Sequence, residues 1–284
     1  MEPASHFFYS HRLKLQFWDF GSEGNPPLIL VHGSRDHARN WDWVARDLRE
    51  NYHVYAIDLR GHGNSAWAPG ALYAFSEHVL DLSVFADIVS KGPISIIGHS
   101  LGAVVSLLYA GSFPNRVHKL VAIEGTGVGP VVDAPEPIGQ RLRRWIEKVR
   151  DVDHHPARAY PDLNAAIARM QTANPFLSAD VARHLTLHGT NWNADGSLVW
   201  KFDNYTRVLY PFGLTPENMS GFLSAIECPT LLFWGQQSFA RDPEFDPQAQ
   251  AIRNQKIVKV DQAGHWLHHD QLGIFLAETN HFLR

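Results

Sequence analysis

A serine lies between two glycines in Gly98-His99-Ser100-Leu101-Gly102, directly after the apolar run Ile94-Ser95-Ile96-Ile97 and directly before a helical stretch. Glycines two before and two after the serine let the chain turn sharply without Cβ collisions. Ser100 then sits strained and exposed above a strand end, at the positive end of a helix. A serine hydroxyl is a poor nucleophile until a base takes its proton, and a neutral histidine suits that task near pH 7. The sequence holds 17 histidines, so metal binding competes with catalysis as the reason for their number. His265, His268, His269 and Asp270 form a tight polar cluster, but no H-E-x-x-H or paired-cysteine spacing accompanies it, and no metal is expected. His268 and His269 are expected to cap or flank the last helix. Arg35-Asp36-His37 and His154-His155 read as loop residues, and most other histidines as surface and loop composition. Gly125-Thr126-Gly127-Val128-Gly129-Pro130 faintly resembles a dinucleotide loop, but Pro130 and the lack of a following helix argue against it. No cofactor is expected. The single cysteine, Cys228, excludes an intrachain disulfide and any multi-cysteine metal site, and is expected to do no chemistry.

Three further segments carry a resemblance. Val31-His32-Gly33-Ser34, with Trp41 downstream, resembles the oxyanion-hole turn of the α/β-hydrolase fold superfamily. Asp58-Leu59-Arg60-Gly61-His62-Gly63-Asn64-Ser65 resembles its D-x-R-G-x-G-x-S loop, in which Asp58 and His62 are expected to be structural hydrogen-bonders. Ala263-Gly264-His265-Trp266 follows the last strand, where that family carries its catalytic histidine. With Ser100, the four matches fall in family order, and the chain resembles the serine-nucleophile, carboxylesterase-like branch with a helical cap. The resemblance implies Ser100 as nucleophile, His265 as base, and the backbone N–H groups of Ser34 and Leu101 as oxyanion donors.

The third member of the triad departs from the usual pattern. Most relatives place an aspartate three residues after the glycine that ends the strand before the histidine strand. Here that stretch reads Phe233-Trp234-Gly235-Gln236-Gln237-Ser238, so the position holds serine, which cannot stabilise an imidazolium by charge. Two carboxylates are candidates. Glu124 ends the strand Leu120-Val121-Ala122-Ile123, beside the nucleophile strand, where some branches of the family carry an acid. Asp242 lies four residues beyond Ser238 and needs a bulged loop. We favour Glu124, because a carboxylate at a sheet's carboxyl edge is otherwise a costly place for charge, and keep Asp242 as the alternative.

The resemblance implies a carboxylic-ester hydrolase acting through an acyl-enzyme, with a small-molecule, apolar or aromatic ester as substrate. Similar machinery serves thioesters, lactones, C–C bond hydrolysis, perhydrolysis and hydroxynitrile cleavage, and a non-catalytic ligand-binding member of the fold is a further alternative. Serine rather than aspartate at the elbow argues against haloalkane dehalogenases and epoxide hydrolases, which need a carboxylate nucleophile.

The elements that must position these residues alternate. Residues 12–20 read as an early antiparallel strand, 28–31 and 54–57 are continuous apolar runs as expected of strands buried on both faces, and 94–97 and 117–123 read as two more strands. Helices are expected over 40–51 with Asn40 as N-cap, 76–90 capped by Ser76, and 101–112. This βαβ alternation predicts an α/β fold with a mostly parallel central sheet flanked by helices. The rhythm changes after Gly125. Helices are expected near 138–149, 162–170, 178–188 and 215–225, with Thr215 as N-cap, before strands at 230–234 and 257–260 and a last helix over 269–283. The simplest organisation is an α/β-hydrolase core of residues 1–125 and 223–284, interrupted by a helical cap insertion at 126–222.

Within the insertion, Ile138, Leu142, Trp145, Ile146 and Val149 form an apolar stripe opposite Arg141, Arg143, Arg144, Lys148 and Arg150, a basic side expected to be a solvated face. Its aromatics, Trp145, Phe176, Trp192, Trp200, Tyr205 and Phe212, are expected to divide between a substrate pocket and the insertion's own core. A hydrophobic content of 45% suits a chain that buries a sizeable core, and a formal charge of −4 argues against nucleic acid as a partner. Between Lys91 and Arg116 no residue is fully charged, but Pro93 and Gly98-His99-Ser100 interrupt the stretch, so no membrane partner is expected. The N-terminus does not read as a signal peptide, and the absence of disulfides makes the cytoplasm the expected compartment. The oligomeric state is not legible.

Overall fold

The computed structural model describes residues 2–70, 73–127, 136–155, 157–208 and 210–284. Val128, Gly129 and Pro130 of the glycine-rich run lie outside them. In chain order the core elements are β1 (Ala4–Ser10), β2 (Leu13–Asp19), β3 (Pro27–Val31), α1 (Asp42–Leu48), β4 (His53–Ile57), α2 (Phe75–Val89), β5 (Ile94–His99), α3 (Leu101–Ser112) and β6 (Val117–Ile123). There follow α4 (Ile138–His154), α5 (Leu163–Ala173), α6 (Ala179–Gly189), the hairpin strands β7 (Thr190–Trp192) and β8 (Leu198–Trp200), and α7 (Pro216–Ser224). The chain closes with β9 (Thr230–Gly235), β10 (Gln255–Val260), the single turn α8 (Leu267–Asp270) and α9 (Leu272–Leu283).

The main sheet has eight strands in the order β1-β2-β4-β3-β5-β6-β9-β10. The six from β4 to β10 are parallel, and β1 and β2 add an antiparallel edge. Successive side chains of a strand point to opposite faces, and β3 shows the result. Ile29 and Val31 pack into the cluster containing Phe85, Leu107 and Tyr109, whereas Leu28 and Leu30 pack into the one containing Trp41, Phe233 and Phe275. Strands buried on both faces are apolar throughout, which is why β3 and β4 are readable as continuous runs, whereas the edge strand β10 carries Lys256 and Lys259.

Asp162, Ser178 and Thr215 cap α5, α6 and α7 through side-chain acceptors. Asn40 and Ser76 do not act as predicted. Asn40 lies inside a 3₁₀ turn, Ala38–Trp41, with its amide between Asp36 and His268, while α2 starts one residue before Ser76 behind an Ala74 that makes no side-chain cap. β1 escaped prediction: it is an edge strand whose side chains are mostly exposed, including Phe7 and Tyr9, so it lacks the pattern of a buried strand. The three-residue strands β7 and β8 pair in a hairpin, so the connection from β6 to β9 is not wholly helical. Among the described residues, no helix is long and apolar enough to cross a membrane.

The expectation of surface histidines holds for His6, His11, His118, His154, His155 and His281 and is overturned for six others. His32, His37, His62, His78, His99 and His268 are at most 5% exposed. They are held in the interior by rings and hydrogen bonds. His268 stacks on Trp41 at 4.8 Å and shares a 2.8 Å hydrogen bond with the Asn40 amide oxygen, while Leu59 N–H donates to His32 Nε2 at 3.0 Å. Burial disfavours the imidazolium, pushing His37 down to about 3 and His62 to about 4. His32, His78, His99 and His268 are also driven well below the usual histidine range by burial.

The unfolded chain therefore takes up protons below about pH 6.5 that the folded chain refuses, and stability falls as the pH drops through that range. Burial raises Asp36 to about 7 and Asp58 and Asp270 to about 6, which opposes the trend, but these three are fewer than the six histidines. A net uptake of one proton corresponds to about 1.4 kcal/mol per pH unit. We expect urea midpoints followed by circular dichroism to drop by at least that equivalent between about pH 6.5 and 5.5. A midpoint flat over that interval would contradict neutral burial of these rings.

Candidate active site

Ser100, Ser34, Glu124 and His265 all follow strands at the carboxyl edge of the sheet. β5 is central, pairing with β3 on one side and β6 on the other, so the turns after these strands are neighbours. Ser100 has φ +51°, in the left-handed region where a side chain is strained, and it immediately precedes α3. Its N–H donates to Ile123 O at 2.8 Å, which fixes the turn to the end of β6. The flanking glycines are required by close packing. A Cβ at Gly98 would lie 2.4 Å from Gly102 O, and one at Gly102 would lie 2.2 Å from Val31 O. The oxyanion-type turn is also tight, since a Cβ at Gly33 would lie 2.8 Å from His99 Nδ1 and 3.2 Å from Ser100 Cβ. Among the described residues, the N–H groups of Ser34 and Leu101 meet no protein acceptor, and both residues line the cavity that Ser100 faces.

His265 Nδ1 is 3.4 Å from Glu124 Oε2. Glu124 is buried, and its N–H donates to Phe233 O at 3.0 Å, so the residue is pinned between β6 and β9. Two further donors hold its carboxylate: Gly235 N–H on Oε1 and the Ser238 hydroxyl on Oε2. Ser238, at the position where an aspartate is usual, thus supplies a hydrogen bond instead of a charge. The His265 loop is anchored by Asp270, which accepts from Gly264 N–H at 2.8 Å, and by His99 Nε2, which donates to His265 O at 2.8 Å. Phe239 stacks on the His265 ring at 4.4 Å.

Asp242 is placed elsewhere. Its carboxylate pairs with Lys259 at 2.7 Å and accepts from Glu244 N–H, so the structure brings Glu124, not Asp242, to His265. His268 and His269 flank the last helix, lying in the single turn α8 directly before α9, where burial also pushes His269 down to about 3. Asp36 and His37, read as loop residues, are buried. Trp266 Nε1 donates to Asp36 at 3.3 Å, which ties the turn after β3 to the loop carrying His265. No spacing in the sequence signalled this tie. Asp58 receives Ala38 N–H at 2.7 Å and Asn64 N–H at 3.0 Å, a structural role. Cys228 is buried, and its thiol is pushed up to about 11 by desolvation.

Ser100, His265, Ser34 and Leu101 share a cavity of about 1020 Å³. Its floor is apolar, with Val104, Leu108 and Phe222, and the β6–β9 connection adds Trp145, Tyr210 and Phe212. Trp192 is instead exposed. The basic side of α4 was expected to be solvated, and Arg144 and Lys148 are exposed, but together with half-buried Arg141 and Trp145 they also line this cavity, while Ile138, Leu142 and Ile146 are 64%, 38% and 36% exposed. Periodicity separates the two faces of a helix without saying which of them turns inward.

The chain is similar to known proteins over most of its length. The chain is 26% identical over 251 residues to an esterase of Mycobacterium tuberculosis, covering 87% of this chain and 78% of that one. It is 29% identical over 180 residues to the human serine hydrolase-like protein 2, covering 62% of this chain and 57% of that one. A hypothetical protein from Pseudomonas aeruginosa PAO1 superposes with a TM-score of 0.85 at 26% identity, with both chains fully covered. Several curated relatives are longer: matches span from 34% to 61% of their length. Residues 28–278, from β3 into α9, match the model of the Alpha/beta hydrolase family, and the chain belongs to that family.

Proposed function

We propose that the chain is a carboxylic-ester hydrolase working through an acyl-enzyme on Ser100. The observation that carries this reading is the pairing of His265 Nδ1 with buried Glu124 on the cavity that also holds Ser100. Accepting the Nδ1 proton leaves Nε2 unprotonated and free to act as base. Ser100 Oγ attacks the ester carbonyl carbon as its proton passes to His265 Nε2, and the negative carbonyl oxygen is received by the N–H groups of Ser34 and Leu101. The C–O bond then breaks, and the alcohol leaves with the proton from His265. A water attacks the acyl-enzyme by the same route in reverse, releasing the carboxylic acid and restoring Ser100. Glu124 stabilises the imidazolium formed in both halves. The apolar floor suits an acyl chain or an aromatic group, and similarity to a mycobacterial esterase supports ester over C–C or thioester cleavage. The connection between β6 and β9 acts as the cap over this cavity.

A chain-length series of p-nitrophenyl esters tests the reading. Turnover with a chain-length optimum is expected, and no turnover of any member contradicts it.

Ser238 is a positioning residue in this scheme, because it holds Glu124 Oε2, the oxygen that faces His265. A hydrogen bond to a charged group contributes about 1.5–3 kcal/mol, so Ser238→Ala is expected to lower kcat by about tenfold or more with little change in KM. Ser238→Thr, which keeps the hydroxyl, should recover most of the rate. Equal kcat for the wild type and the alanine variant would remove Ser238 from the scheme.

A further inference from the structure

We propose that the substrate of this cavity carries an anionic group, a carboxylate or phosphate, held by the α4 face of Arg141, Arg144 and Lys148 at a distance from the bond that breaks. For the reaction this rests on the ester-hydrolase reading; for binding it does not. The three cations recur at helical spacing, so they form one row of roughly 10 Å along α4, with Trp145 in the same row. All three line the cavity that holds Ser100 and His265. Arg144 is paired with Glu136 at 2.6 Å, whereas Arg141 and Lys148 have no acidic partner among the described residues. The acidic lining residue is Glu124, whose side chain is fully buried and already occupied by Ser238, Gly235 and His265. His62 and His78 also face the cavity, and burial keeps them neutral. The α4 lining of the cavity is therefore cationic, although the whole chain has a net charge of −4.

Arg141, Arg144, Trp145 and Lys148 line the cavity and Ile138, Leu142 and Ile146 do not, although Arg144 and Lys148 are also exposed to solvent. Arginine and lysine keep their charge and favour carboxylate and phosphate oxygens, the former through a bidentate fork. A cationic wall in a concave site also raises the local concentration of anions, an effect screened by salt. An amphipathic substrate fits both halves: an apolar body on Val104, Leu108 and Phe222, and an anionic end on α4.

Two isosteric pairs of esters place the charge on either side of the scissile bond. p-Nitrophenyl hemisuberate against p-nitrophenyl methyl suberate puts it on the acyl chain, and 4-carboxyphenyl butyrate against 4-carbamoylphenyl butyrate puts it on the leaving group. In at least one pair, kcat/KM for the charged member should exceed that of the neutral one by about tenfold at low salt. The Arg141→Gln/Lys148→Gln double substitution should collapse that ratio about tenfold, mainly through the KM of the charged ester. Preference for the neutral member in both pairs, or a ratio untouched by the double substitution, overturns the proposal. If none of the four esters is turned over, the hydrolase reading fails separately, and calorimetric titration of Ser100→Ala with monomethyl suberate and dimethyl suberate decides. Binding confined to the acid and lost in the double variant sustains the anionic site, and equal or absent binding of the two refutes it.

Discussion

Ser100→Ala is expected to lower kcat on p-nitrophenyl esters by about 10⁴–10⁶-fold, with the melting temperature unchanged or raised. The size follows from the role proposed for the hydroxyl. Without Oγ no acyl-enzyme forms, and the rate that remains comes from the oxyanion donors and binding acting on water-mediated attack. The stability effect has a separate origin. Ser100 occupies φ +51° at the start of α3, a conformation costing about 1–3 kcal/mol for a residue with a side chain. Alanine inherits that strain but loses a polar hydroxyl from the cavity floor, so no fall in stability accompanies the loss of rate. A variant that unfolds would show that the hydroxyl carries a structural load. One that keeps more than about a tenth of wild-type kcat would remove Ser100 from the chemistry.

Glu124→Gln is expected to reduce kcat by about 10³–10⁴-fold, and Asp242→Asn by less than about threefold. The glutamine is nearly isosteric, and its carbonyl oxygen can still accept from Gly235 N–H or Ser238. Its amide N–H₂, however, cannot accept the Nδ1 proton of His265, and when turned toward the ring it favours the tautomer in which Nε2 holds the proton and cannot act as base. It also provides no charge to stabilise the imidazolium. Asp242 has no comparable position, because its carboxylate is engaged by Lys259 and does not reach the His265 loop. The comparison needs kcat for both variants with the same ester. A large loss in Asp242→Asn alongside an active Glu124→Gln would reverse the assignment.

The nucleophile turn was legible because its requirements are local. Gly98 and Gly102 are demanded by contacts within two neighbouring turns, and the apolar runs before and after them mark elements buried on all sides. Glu124 was legible for a related reason: a carboxylate ending an otherwise apolar strand needs partners, and it finds three. Ser238 shows the limit. Its departure from aspartate was visible in the sequence, but its hydrogen bond to Glu124 depends on β6 and β9 being adjacent, a pairing across more than a hundred residues. The histidines failed for the same kind of reason. His32, His99 and His268 sit next to turns in the sequence, and only the packing of those turns against one another removes them from water. For α4 the stripe divides: Trp145 lines the cavity beside Arg141, Arg144 and Lys148, while Ile138, Leu142 and Ile146 are exposed, a division that periodicity does not reveal. Asn40 and Ser76 are good cap residues in isolation, and in Asn40 a tertiary bond to His268 won over the cap.

The most direct measurement of the central claim is stoichiometric labelling with a fluorophosphonate probe, read by intact mass and peptide mapping. The account predicts one adduct per chain on Ser100, fast in the wild type, slowed strongly in Glu124→Gln and His265→Gln, and absent in Ser100→Ala. A folded protein that takes no label, or one labelled at another residue while Ser100 stays free, would contradict it.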